Sequence, residues 1–429
     1  MHHRSTDRAS HRPHHRPLRR GRAVARFAVV PLVAVVATLA TACSSGSSGG
    51  SSSSPSPTTA TTRPASGAAP AGPAIVFGGD GNNLDAYAAN PSADGTFASQ
   101  RVDQTVDTDP VHGRDLNAQI CFFPKTKDGE QWFIAGEDTH QDDPAFPPGW
   151  GIFRLTGTKL GHLHIAQIGK LVPTFQPTAD GAENYGCAVL PDGRVLTTDV
   201  GNQAGGAGDG QLIIWFPPLV GGALPHFDQV SYCKLDVGLA TAQSILLQDD
   251  TVYVAASRGA VYRYRGPFPT SDDAAGGCGK KDGTGAPLAD SVDKSTFIPA
   301  GPHGLATPAG LAHAPDGGMY VSSVISGVID EFGPDGTFRR TILEPPAGEK
   351  LGPKPYSTGS PLGIAVDAKG NLFYADIGIV IGDGSIGPGD HTGTVRRIRF
   401  VDGKPQEPET MATGLDFPDG LGTFSPGGP

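Results

Sequence analysis

The sequence has 5 cysteines and no Cys-x-x-Cys pair among them, so it encodes neither a thioredoxin-type redox motif nor a paired-cysteine zinc site. Its Gly-rich pieces, such as Gly382-x-Gly384, open no helix, which removes a dinucleotide-binding reading. A Gly-x-Ser-x-Gly nucleophile elbow needs a strand-to-helix turn, and this chain reads as strands. Positive charge is scarce outside the N-terminus: residues 1–42 hold eight Arg and one acidic residue, leaving 25 basic against 42 acidic residues and a formal charge of −17. Nucleic acid and anionic lipid surfaces are therefore poor partners, because both need basic patches.

What the sequence does have is one short sentence written repeatedly. In Ser360 to Asp376, the alternating Ile364 and Val366 precede an Asp367-Ala368-Lys369-Gly370 turn and a second run, Leu372-Phe373-Tyr374. Two runs of β-branched and aromatic residues around a Gly-containing turn predict a β-hairpin. Further copies begin at Asn117, Asn184, Thr241 and Pro308, and a truncated one at Pro418, at steps of 67, 57, 67, 53 and 57 residues. Periods of this length carrying only strand signals mean propeller blades. A third and usually a fourth strand follow each hairpin, as in residues 327–332 and 337–342. The last copy supplies only an innermost strand, whereas residues 74–102 supply three strands without one. The expectation is an all-β, six-bladed propeller closed by pairing of its two ends, which leaves no open edge at the seam.

Residues 307–332 and 360–378 resemble NHL repeats and the related six-bladed propellers of the senescence marker protein/gluconolactonase family. That resemblance implies Glu, Asn and Asp ligands for a divalent cation at the starts of inner strands. Pro418-Asp419-Gly420 matches the family's Pro-Asp-Gly motif, and Glu183-Asn184-Tyr185-Gly186 resembles its Pro-Asn-Gly motif one residue out of register; its Glu-Gly-Pro signature is absent.

The chain falls into three parts. Residues 1–42 join a basic segment to a short apolar run from Phe27 to Ala40 and small residues, the pattern of a secretory signal. Cys43 follows Ala40-Thr41-Ala42 and resembles the lipidated cysteine of a bacterial lipoprotein, with Ala40 where Leu is usual. Residues 43–73 are Ser, Thr, Gly, Ala and Pro almost throughout, too polar to bury a core, and read as a disordered tether. Residues 74–429 form the propeller. The expected location is outside the cytoplasm, as a monomer that meets the membrane only through its lipid.

Four cysteines remain in the propeller, Cys121, Cys187, Cys233 and Cys278, and an even number in an exported protein favours disulfides. Four allow three connectivities. Cys121 aligns with Ala188 and Cys187 with Ile120, so the two lie on opposite sheet faces of neighbouring blades. They either face each other or both face away, and the preferred pairing is Cys121 with Cys187 and Cys233 with Cys278.

Loops locate the candidate site. Connections entering first strands and those joining second to third strands share one face of the ring, and the long ones 139–149, 200–210, 344–360 and 377–393 map there, whereas one long insertion, roughly 266–296, maps to the opposite face. Binding residues gather on loops held by a rigid scaffold. Asn117, Glu183, Asn184, Gln243 and Asp419 start first strands, and Asp80, Glu137, Asp138, Asp199 and Asp376 end second strands. Converging carboxylate and amide oxygens suit Ca²⁺, with Glu183, Asn184, Asp419 and Asn117 as the ligand set. Asp199 and His303 are the catalytic candidates for activating water; His140 and His391 lie in the same class of loop. Two functions follow: a calcium-dependent hydrolase of lactones or esters acting at the channel mouth, or a non-catalytic binding or scaffold propeller on the cell envelope. Its ligand would be a small molecule or an envelope protein.

Overall fold

The computed structural model describes residues 74–80, 83–102, 116–137, 149–172, 184–200, 210–220, 224–239, 241–257, 259–382 and 385–426. The signal segment, Cys43 and the tether expected within residues 1–73 lie outside them, as do Asp138, His140 and Glu183.

Six antiparallel sheets make the ring. Blade one runs from the inner strand Leu116–Phe122 through Gln131–Glu137 and Gly149–Thr156 to His164–Leu171. The inner strands of blades two to five are Asn184–Val189, Ala242–Gln248, Pro308–His313 and Pro361–Val366. Blade six is shared between the two ends of the chain: Leu421–Phe424 is its inner strand, pairing antiparallel with Ile75–Asp80, which in turn carries Asn83–Ala88 and Ser99–Arg101. The ring is thus closed without an exposed strand edge at the seam.

The second strands read as nearly continuous apolar runs because the inner part of each blade is buried on both faces. In the second strand of blade three, Val252 and Val254 join the cluster shared with blade two, while Tyr253 and Ala255 join the one shared with blade four. One apolar cluster lies between every pair of neighbouring blades, including the closing pair, where Phe77 of blade six packs with Phe133 of blade one. Burying each such side chain contributes about 1.5–3 kcal/mol.

Inner strands share one irregularity. In blades one to five the pairing with the second strand skips near the strand start; Asn184 faces Asp199, and the next pair is Cys187 with Thr197. A bulge of this kind tightens the local twist and tips neighbouring inner strands together. A side chain on Gly310 would meet the carbonyl oxygen of Leu362, and one on Gly420 that of Ala118. This close approach is the physical content of the Pro-x-Gly motif. Blade one holds an extra residue in the bulge, with Ala118 at a φ of 69°. Leu116, not Asn117, therefore faces the strand-end carboxylate Glu137, and Asn117 faces Gly136. The alignment of Asn117 with Asn184 expected from sequence is off by one for this reason.

Blade three carries a long excursion, 266–292, between its third and fourth strands. Two short strands in it, Lys280–Lys281 and Pro287–Leu288, extend the outer edge of blade two, with Leu288 parallel to Lys234. A disulfide between Cys233 and Cys278, Cα atoms 6.3 Å apart, fastens the excursion there. A second disulfide joins Cys121 of blade one to Cys187 of blade two, with Cα atoms 6.0 Å apart.

Candidate functional site

At the channel mouth the described acidic and amide side chains act mainly as fasteners. Asp419 is 3% exposed, and its carboxylate accepts the backbone N–H of Ala118 at 3.1 and 2.9 Å and that of Gly420 at 2.7 Å. It thereby ties the inner strand of blade six to that of blade one, across the seam. Its carbonyl oxygen accepts the hydroxyl of Tyr185, a blade-two residue, at 2.8 Å. Asn184 is buried and donates through Nδ2 to the carbonyl of Gly149 in blade one at 2.7 Å. A hard cation takes six to eight oxygens; of the expected set only Asn184 and Asp419 have described side chains, and each holds a neighbouring blade.

The carboxylates that end second strands have the same character. Asp376 accepts backbone N–H groups from Ser360 at 2.7 Å and Gly378 at 2.9 Å, the Thr394 hydroxyl at 2.8 Å, and Arg396 at 3.2 Å. Glu137, buried, takes Gln167 and Lys170, each at 2.7 Å. Asp80 accepts the N–H of Asp416 at 2.8 Å and pairs with Arg101 at 3.1 Å; burial pushes its carboxyl up, against the pull of the Asp416 N–H. Asp199 is 2% exposed and accepts Gln211 Nε2 at 3.3 Å. Polar groups at a strand end must be satisfied once buried, and a carboxylate can serve several donors at once.

His303 takes a φ of 58° in the loop entering blade four, and its ring stacks on Phe338 of that blade's outer strand at 3.7 Å. It is exposed, and packed on the blade's periphery. His391 pairs through Nδ1 with Asp416 at 2.8 Å, and Asp390 completes an exposed trio.

The feature that the sequence reading missed is apolar. Tyr185, Ala309 and Leu362, each second in its inner strand, meet Val200, Val324 and Ile377, each just past a second strand, in one buried cluster with Ile379. Leu351 and Ile386 from the long loops pack on it, and the loops are joined by the N–H of Ile381 donating to Gly352 at 2.6 Å. A signal existed: Asp199-Val200, Ser323-Val324 and Asp376-Ile377 repeat an apolar residue just past the second strand. Deeper in the channel, Gln119 of blade one reaches past blade two, donating to the carbonyl of Ile245 at 2.9 Å and accepting its N–H at 3.0 Å.

No family profile and no curated protein matches this chain. Among solved structures, a virginiamycin B lyase from Staphylococcus aureus is 13% identical over 76% of each chain, with a TM-score of 0.36. A chain of a nidogen/laminin complex is 10% identical over 82% of this chain and 98% of its own, with a TM-score of 0.43. A streptogramin B lyase is 14% identical over 81% and 91%, with a TM-score of 0.40. Likeness at this level bears on neither activity nor ligand. The six-bladed assignment stands on the strand pairing itself.

Proposed function

We propose that this chain is a non-catalytic binding propeller, exported and held at the outer side of the cell membrane by a lipid on Cys43, with the ring serving as a rigid platform for another envelope molecule. The observation that carries this reading is the use made of Asp419. A catalytic cation needs a carboxylate whose oxygens are directed at the ion, and this one is directed at the N–H groups of Ala118 and Gly420. The apolar cluster around Tyr185 and Leu362 supports the same conclusion, since hydrolysis of a lactone or ester requires water to be delivered and activated where the carbonyl sits. The Ser-, Thr-, Gly- and Pro-rich composition of residues 43–73 suits a module displayed away from the bilayer.

The test is a panel of lactones and aryl esters incubated with the purified mature protein, with millimolar calcium and with chelator. The binding reading predicts no turnover above a heat-denatured control in either condition. Calcium-dependent turnover abolished by Asp419→Asn would refute it and establish the hydrolase.

A further inference from the structure

On the face opposite the mouth, a cavity of about 660 Å³ lies between the first turns of blades two and three and is walled by the start of the 266–292 excursion. We propose that this cavity is a binding site for a peptide segment that presents a basic side chain, an inference that takes the binding-module reading as its starting point.

The walls are built to hold their shape. Other described third-to-fourth-strand connections in blades four and five span only 333–337 and 399–408, whereas this one is fastened at several points. Arg194, in the blade-two turn, donates to the carbonyls of Phe268 and Pro269 while its Nε holds Asp192 at 2.8 Å. The Cys233–Cys278 disulfide and the ion pair of buried Lys234 with Asp282 hold the rest of the excursion against blade two. Preformed concave surfaces of a few hundred cubic ångströms are where ligands bind, because little ordering entropy is lost on association.

The lining sets the ligand's chemistry. Pro191, Pro267 and half-buried Phe268 give an apolar floor suited to the body of a peptide. Of the charged groups, Arg194 and Asp192 neutralise each other, and Arg265 lies 4.0 Å from Asp293. Asp249 and Asp250 remain, both exposed on the blade-three turn at the rim. Three aspartates (Asp192, Asp249, Asp250) and two arginines (Arg194, Arg265) line the cavity, a net charge of −1, and the complementary group is a guanidinium or ammonium carried on an apolar stem. A planar guanidinium meets carboxylates with two parallel hydrogen bonds and also stacks on an aromatic ring such as Phe268.

Isothermal titration of the disulfide-bonded protein with acetyl-Gly-Pro-Arg-Pro-Gly-amide, and with the same peptide carrying citrulline in place of arginine, tests this. Citrulline keeps the shape and removes the charge. The arginine peptide is expected to bind saturably, at least tenfold more tightly than the citrulline peptide, and at least tenfold less tightly to the Asp249→Asn, Asp250→Asn double variant. Both positions are exposed, so the variant keeps the fold; Phe268→Ala, which removes apolar lining and the ring under the guanidinium, should weaken both peptides, the arginine peptide more. Equal affinity for the two peptides, no saturable binding of the arginine peptide, or undiminished binding by the double variant would overturn the assignment. Turnover of an ester at the mouth would sink the non-catalytic reading and leave this result untouched, whereas failure of the peptide to bind would remove the cavity site alone.

Discussion

Removing the carboxylate of Asp376 should unfasten three segments of blade five at once. The side chain is 1% exposed and accepts the N–H groups of Ser360 and Gly378, the Thr394 hydroxyl and the Arg396 guanidinium. A buried donor left without an acceptor costs about 1–3 kcal/mol, and breaking a buried ion pair from one side costs about 3–5 kcal/mol. These losses overlap, and Arg396, with 15% of its side chain exposed, can turn toward water. The net expectation for Asp376→Ala is about 4 kcal/mol, and about 2 kcal/mol for Asp376→Asn, which keeps one acceptor oxygen. Urea unfolding followed by fluorescence measures both directly. In a thermal scan the alanine variant should melt roughly 5 °C lower, the loss divided by the unfolding entropy of a domain this size. An alanine variant within 1 kcal/mol of wild type would show that Asp376 is not a fastener. The whole account of the strand-end carboxylates would then have to be withdrawn.

Asp330 gives a pH signature. It is fully buried in blade four, its Oδ2 lacks a partner, and burial pushes its carboxyl up to about 6, against the pull of the Thr341 hydroxyl and of His303. A raised carboxylate pKa favours the protonated folded state, so this group's stabilisation is greatest at low pH and is lost as pH rises through about 6. Relative to wild type, Asp330→Asn should therefore gain roughly 2 kcal/mol in urea melts between pH 4 and pH 8; a pH-independent difference would contradict the burial argument. Gly420→Ala should fail to close the ring, because the new methyl would meet the backbone of Ala118; a variant with wild-type melting temperature would refute the close-approach explanation of the motif. Cys43→Ser should move the protein from the membrane to the soluble fraction or leave it unprocessed, and unchanged fractionation would dispose of the lipid anchor.

The blade repeat was legible because its determinants are local: Asp367-Ala368-Lys369-Gly370 makes its own turn, with the Asp367 carboxylate accepting the N–H groups of Lys369 and Asn371 at 2.9 Å each. Closure was legible by counting strands at the two ends. The bulge in blade one was not, since an extra residue at Ala118 is absorbed by a positive φ in a residue type that rarely adopts one. Nor was the part played by Asp419: a carboxylate beside a Pro-Asp-Gly motif looks the same in sequence whether it faces an ion or the N–H of a residue 301 positions away. The 266–292 excursion could be placed on the face opposite the mouth from strand order. That it adds strands to the neighbouring blade depends on the parallel pairing of Lys234 with Leu288, which no local pattern announces.

If the described mouth carboxylates are occupied in fastening the ring, as proposed for Asp419, calcium should find no site there. A ligand that binds only the folded state stabilises it by RT ln(1 + [L]/Kd), so calcium at 100 times its Kd would add about 2.7 kcal/mol. Melting curves of the mature protein in chelator and in millimolar calcium measure this directly. Superimposable curves are expected; a calcium-dependent rise that Asp419→Asn abolishes would show that the carboxylate holds an ion.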